Sequence, residues 1–103
     1  MSSIKIRTVQ LENATEIRLL ITHPMENGRN RDPLSGVLIP AHFIQELSIY
    51  INDDLLMQIN MAGSVSMNPY FSFHLKNSVN GAKLKVSWLD NQQLSDNAEY
   101  IIE

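Results

Sequence analysis

Apolar residues recur at every second position along most of this chain, the spacing of strands with one buried face, and helical spacing finds no sustained stripe. Ile4 and Ile6 open a first strand, and Ile17, Leu19 and Ile21 alternate with Glu16, Arg18 and Thr22 in a second. A longer third strand sets Phe43, Leu47, Ile49 and Ile51 on one face, opposite His42, Glu46 and Ser48. Leu55, Met57, Ile59 and Met61 alternate with Gln58 and Asn60, and Phe71, Phe73 and Leu75 with Ser72, His74 and Lys76. Leu84, Val86 and Trp88 alternate with Lys83, Lys85 and Ser87, and Ala98, Tyr100 and Ile102 mark the last strand. Turn residues bound these runs at Asn27-Gly28, Asn52-Asp53, Asn68-Pro69, Asn80-Gly81 and Asp90-Asn91. About seven short strands predict an all-β fold, an immunoglobulin-like β-sandwich of antiparallel strands, with a barrel as the alternative. Asn52-Asp53 joins its strands tightly enough for a hairpin, and Asn80-Gly81 is expected to turn the next pair.

Two departures from plain alternation carry more than the fold class. The outward phase, which a solvated face would make polar, holds Ile44, Tyr50, Leu56, Tyr70, Leu89 and Ile101. Scattered exposure explains such a phase, and so does a second buried face, which for so small a chain means another chain. The stretch from Pro24 to Pro40 has no period, holds three prolines, two glycines and the pair Arg29 and Arg31, and is long for a connection in a compact domain. Such a loop is either functional or disordered, and since functional groups collect on loops it is read as a recognition element.

Length and charge narrow the class. The 103 residues form one domain, 1–103, in which folding buries roughly 60–65% of the unfolded surface without staples. Eight Lys and Arg against eleven Asp and Glu leave a net charge of −3, and the cations are scattered among acids along the sequence, which argues against nucleic acid and membrane surfaces. No window approaches 18 apolar residues, so no membrane-spanning helix is expected. The N-terminus lacks a basic stretch followed by an apolar run, which read alone implies a cytoplasmic protein.

Reactive chemistry is hard to assemble from these residues. With no cysteine there is no disulfide, thiolate ligand or thiol nucleophile. His23, His42 and His74 have no second ligand at metal-binding spacing, so a zinc site would need carboxylates from different loops, and surface or loop-anchoring roles are expected instead. Met57 and Met61 stand about 13 Å apart on an extended strand, too far for one coordination sphere, and are read as core fillers. Ser64 or Ser66 could be drawn into a triad with a histidine and Asp90, but Gly63-Ser64-Val65-Ser66-Met67 lacks the second glycine of a nucleophile elbow. Asp53 and Asp54 suit a tight turn, and Trp88 shares the phase of Leu84 and Val86. No catalytic, metal or cofactor-binding residue is assigned.

Three strings resemble something specific: Thr22-His23-Pro24-Met25-Glu26-Asn27-Gly28, Ile39-Pro40-Ala41-His42-Phe43-Ile44, and Ser64-Val65-Ser66-Met67-Asn68-Pro69-Tyr70 with Phe73 beyond. In order and spacing, from about Ile17 to Asp90, they resemble the signature stretches of the SoxZ family, the small subunit of the SoxYZ sulfur carrier of thiosulfate oxidation. The resemblance implies an immunoglobulin-like sandwich without an active site, paired with a SoxY subunit that carries sulfur intermediates on a cysteine near its mobile C-terminus. It also implies transient contacts with other thiosulfate-oxidation enzymes, and a periplasmic location reached in complex with a signal-bearing partner, which replaces the cytoplasmic reading. Met67, His74 and Asp53 depart from the family, which often has basic residues at the first two positions and glycine at the third. Partner-binding or loop-shaping candidates on this basis are Pro24, Met25, Glu26, His42, Phe43, Ser66, Asn68 and Pro69, joined by Arg29 and Arg31 of the loop and Ile44, Tyr50 and Leu56 of the outward phase. The rival reading is a stand-alone immunoglobulin-like binding module with no role in sulfur chemistry.

Overall fold

A computed structural model, which describes residues 3–61, 67–76 and 81–102, shows seven antiparallel strands and, among those residues, no helix. The strands are β1 (Ile4–Gln10), β2 (Ala14–Ile21), β3 (Ile44–Ile51), β4 (Asp54–Asn60), β5 (Tyr70–Lys76), β6 (Lys83–Asp90) and β7 (Ser95–Ile101). One sheet has the order β1-β2-β5 and the other β4-β3-β6-β7, an immunoglobulin-like sandwich and not a closed barrel.

Alternation decides which side of each strand meets the core. Ile17, Leu19 and Ile21 of β2 face Leu47 and Ile49 of β3 and Leu84 and Val86 of β6, and all seven are fully buried. Burying each such side chain contributes roughly 1.5–3 kcal/mol. Met57 and Met61 pack against this cluster, as do Phe43, Phe71, Phe73 and Leu75. Trp88 is buried, with its indole N–H donating to Ser3 Oγ at 2.9 Å.

Two expectations are corrected. Ile44 belongs to the core and not to the outward phase, with no exposed surface. The register explains it: Ile44 pairs with Asp90 and Glu46 with Leu89, so Gln45 is the extra residue of a β-bulge that returns Ile44 to the same side as Leu47. Nor are β5 and β6 paired as a hairpin about Asn80-Gly81, because the two strands lie in different sheets. Asn80 itself lies outside the described residues.

The Asn52-Asp53 hairpin is present as expected. Both residues have positive φ, 49° and 70°, the paired left-handed geometry of a type I′ turn, whose twist matches that of its strands. Asn52 also extends the β3–β6 pairing: its N–H donates to Lys83 O and its Oδ1 accepts from Lys83 N–H, each at 2.9 Å. Replacing Asn52 with Ala removes that acceptor and a side chain that tolerates left-handed backbone, for an expected loss of about 1–2 kcal/mol. Asn52→Gly should cost less, since glycine keeps the turn and loses only the hydrogen bond. Urea unfolding midpoints of the two variants check this order.

Candidate functional site

The starts of β1, β3, β5 and β7 and the ends of β2, β4 and β6 lie at one end of the sandwich, so residues distant in sequence meet there. At its centre is Asp90, the last residue of β6, with no exposed surface. Its Oδ1 accepts the backbone N–H groups of Gln92 at 3.0 Å and Leu94 at 2.9 Å, so the β6–β7 turn wraps around it. Its Oδ2 accepts Nε2–H of His23 at 3.1 Å and of His42 at 2.7 Å. The imidazole rings lie edge to face, centroids 4.6 Å apart, and His23 meets Trp88 in the same manner at 5.1 Å.

The surrounding backbone is tied into the same knot. Asn91 Oδ1 accepts from Phe43 N–H at 2.7 Å, and its Nδ2 donates to Ala41 O at 2.9 Å. Asn68 Oδ1 accepts His23 N–H at 3.0 Å, while Ile21 N–H donates to Pro69 O at 3.0 Å. Glu26 and His42 exchange both backbone hydrogen bonds at 2.7 and 2.8 Å. Met25 takes a positive φ of 49°, sinks into the core and accepts Ile44 N–H on its sulfur at 3.3 Å. Gly28, at φ 85°, passes so close to Ala41 that a Cβ would stand 3.2 Å from the Ala41 Cβ, leaving glycine as the fit.

His23, His42 and Asp90 have the composition of a metal-binding set, and the hydrogen bonds around His23 assign its proton to the nitrogen that faces the carboxylate. Met25 N–H donates to His23 Nδ1 at 3.1 Å, so the ring nitrogen facing Asp90 is the protonated one. A ligating histidine reverses this, donating its outer N–H to an acceptor and leaving the inner nitrogen free for the ion. Among the described residues, both rings direct Nε2 to the carboxylate and neither is hydrogen-bonded to a hydroxyl. Burial pushes the Asp90 carboxyl up, but hydrogen bonds from His23, Leu94 N–H, His42 and Gln92 N–H outweigh it and hold the group below its ordinary value.

The candidates from the sequence divide into distinct places. Met25, Glu26, His42, Phe43, Asn68 and Pro69 join the loop cluster, and exposed Pro24 follows His23 at its rim. Ser66 lies outside the described residues. Arg29 and Arg31 are exposed on the long loop, where Arg31 Nη1 donates to Gly36 O at 2.9 Å and closes a small hairpin with Leu38 opposite. That hairpin tip projects Leu34, 98% exposed. Tyr50, Leu56, Leu89 and Ile101 lie on strands of the four-stranded sheet, whereas Tyr70 lies on the other. Sequence reasoning did not select His23 and Asp90 as site residues; separations of 67 and 48 residues hide the cluster, and its only local signal is an Asp-Asn turn after an apolar run.

The fold is thus a two-sheet sandwich in which two histidines and a buried acid tie the loops of one end together. The model of the family described as Sulphur oxidation protein SoxZ matches residues 4–100, nearly the whole chain, and the chain belongs to that family. Membership gives it a role in sulfur oxidation as a subunit of the SoxYZ type. The search of curated proteins finds no match.

Removal of the central acceptor tests the knot. Asp90→Ala leaves four donors facing a cavity and should lower stability by about 3 kcal/mol, read from urea unfolding at neutral pH. Because the folded-state pKa is depressed, this contribution is complete above the ordinary value of 3.8 and disappears as pH falls through the lower folded value. The gap between wild type and variant should therefore close under strongly acidic conditions.

Proposed function

We propose that this chain is the non-catalytic subunit of a heterodimeric sulfur carrier, bound to a SoxY-like partner that holds sulfur intermediates on a C-terminal cysteine. The carrying observation is membership of the SoxZ family over residues 4–100 in a sequence that contains no cysteine: a thiol that bears sulfur has to come from another chain. The cross-linked loop end is compatible with this reading, since His23 and His42 both hydrogen-bond to Asp90 there. The pair works in the periplasm, on this reading, exported on the partner's signal.

The outer face of the four-stranded sheet supplies the contact favoured for the carrier subunit. Half-buried Tyr50 and Leu89 flank a shallow groove of about 330 Å³ whose floor includes the small residues Ser48 and Ser87, with Leu56 and Ile101 exposed on neighbouring strands. Small residues in the middle of a sheet face leave room for a partner's side chains; Tyr50 and Leu89 offer the apolar contact, and Glu46, Gln58, Ser95 and Asn97 give the groove a polar rim.

Co-expression with a cysteine-tailed SoxY-like protein should yield a complex whose mass is that of one copy of each chain. Association should change little between low and moderate salt if Tyr50, Leu56, Leu89 and Ile101 form the centre of the contact and the polar residues its rim. Loss by orders of magnitude over that range would make it electrostatic and refute this face. Purified alone, the chain should neither turn over thiosulfate nor retain stoichiometric zinc or copper through dialysis against a chelator.

A further inference from the structure

The outer face of the three-stranded sheet has a different character. Cross-strand register arranges its outward residues in rows: Lys5, Leu20 and Tyr70; then Arg7, Arg18 and Ser72; then Val9, Glu16 and His74; with Lys76 of β5 beyond, opposite Ala14. The face thus carries four of the eight Lys and Arg residues and one of the eleven acids, so a chain of net charge −3 presents a positive surface here. Charges scattered along the sequence are concentrated by the pairing of β1, β2 and β5. Lys5, Arg7, Arg18, Leu19, Leu20 and Tyr70 line a groove of about 360 Å³ at the end of this face nearest the loop cluster.

Local pairing does not account for this charge. Arg7 and Arg18 stand directly opposite one another, an arrangement that destabilises a sheet through like-charge repulsion. Arg18 is paired with Glu16 at 2.6 Å, and Glu16 also accepts from His74 at 3.1 Å, so the single acid is shared. Lys5 and Arg7 are exposed and make no ion pair among the described residues. Beside the cations lie apolar groups in the open: Tyr70 is 59% exposed, Met67 66% and Leu20 38%. An apolar anchor with a cationic flank suits a protein surface carrying carboxylates around an apolar side chain. A small anion would instead need donors converging in a concave site, and this groove opens along a sheet.

We propose that this face, centred on Lys5, Arg7, Arg18 and Tyr70, is a second docking surface, which receives the acidic surface of a partner protein. It is separate from the apolar contact on the opposite sheet and does not depend on the identity of the carrier subunit. Lys5 and Arg7, in no ion pair among the described residues, favour fast, salt-sensitive association, so the partner is one met in passing and not a permanent subunit. The Arg7–Arg18 repulsion is a cost to the fold that the partner's carboxylates relieve.

The test uses the isotope-labelled full chain and three probes: a synthetic peptide of Glu and Asp residues around a central Leu, the same peptide with Gln and Asn, and inorganic sulfate. The acidic peptide should shift the amide resonances of β1, β2 and β5 and not those of β4 or β7, with the effect lost at moderate salt. The Lys5→Glu/Arg7→Glu variant should bind it about tenfold more weakly. The same variant should melt no lower than wild type, and up to about 2 °C higher, because Glu at position 7 faces Arg18. Arg7→Gln provides the same comparison without charge reversal and should weaken binding by a smaller factor. Equal shifts from the neutral peptide, no shifts on this sheet, or unaltered binding by both variants would overturn the proposal. Saturation by sulfate on the same amides, with no added effect of the peptide, would make the face a small-anion site and also overturn it.

Discussion

A carboxylate removed from water must be met by donors on every side, and Asp90 meets that requirement with four hydrogen bonds drawn from three parts of the chain. Two come from the turn that follows it, one from His23 after β2 and one from His42 before β3. No short segment could provide them all. Once the acid is buried, the two ends of the long loop and the β6–β7 turn have to occupy one place together. The neighbouring ties of Asn91, Asn68 and Met25 extend the same knot into the core and across to β5.

This explains why the residues that resemble a family signature are mostly not displayed. His23 and Met25 are buried and His42 is half-buried, and their chemistry is spent on each other and on the backbone. A histidine pair on a carboxylate usually invites a catalytic or metal reading; here the Met25 N–H sets the His23 tautomer so that its inner nitrogen donates to Asp90. What remains for partners is the rim of the knot, the hairpin tip with Leu34, and the outer faces of the sheets.

Those two faces divide the work by physical character. One has small polar residues at its centre, with Tyr50 and Leu89 beside them and a polar rim; the other combines a row of cations with an exposed tyrosine. A dry contact resists salt and favours persistence, whereas a charged one gives speed and specificity. On the proposed function, a subunit that stays with one protein and meets others has a use for both, and a sandwich offers two faces that are separated by its core.

Seven strands, the turns at Asn52-Asp53 and Asp90-Asn91 and most core positions were legible in the sequence, because a half-buried strand imposes a period of two that composition cannot disguise. Ile44 escaped, since a bulge adds one residue to β3 and shifts the phase without any local mark. The connection near Asn80-Gly81 escaped for a related reason: turn residues show that a strand ends, not which sheet the next one joins. The positive face was invisible too, as Lys5, Arg7 and Arg18 look dispersed until the pairing of β1 with β2 sets them side by side. By itself the sequence determined the fold class and the absence of thiol chemistry, both properties of local pattern and residue type. The tertiary structure alone decided that His23, His42 and Asp90 meet and which charges share a surface, because contacts across 48 and 67 residues depend on how the sheets stack, not on spacing along the chain.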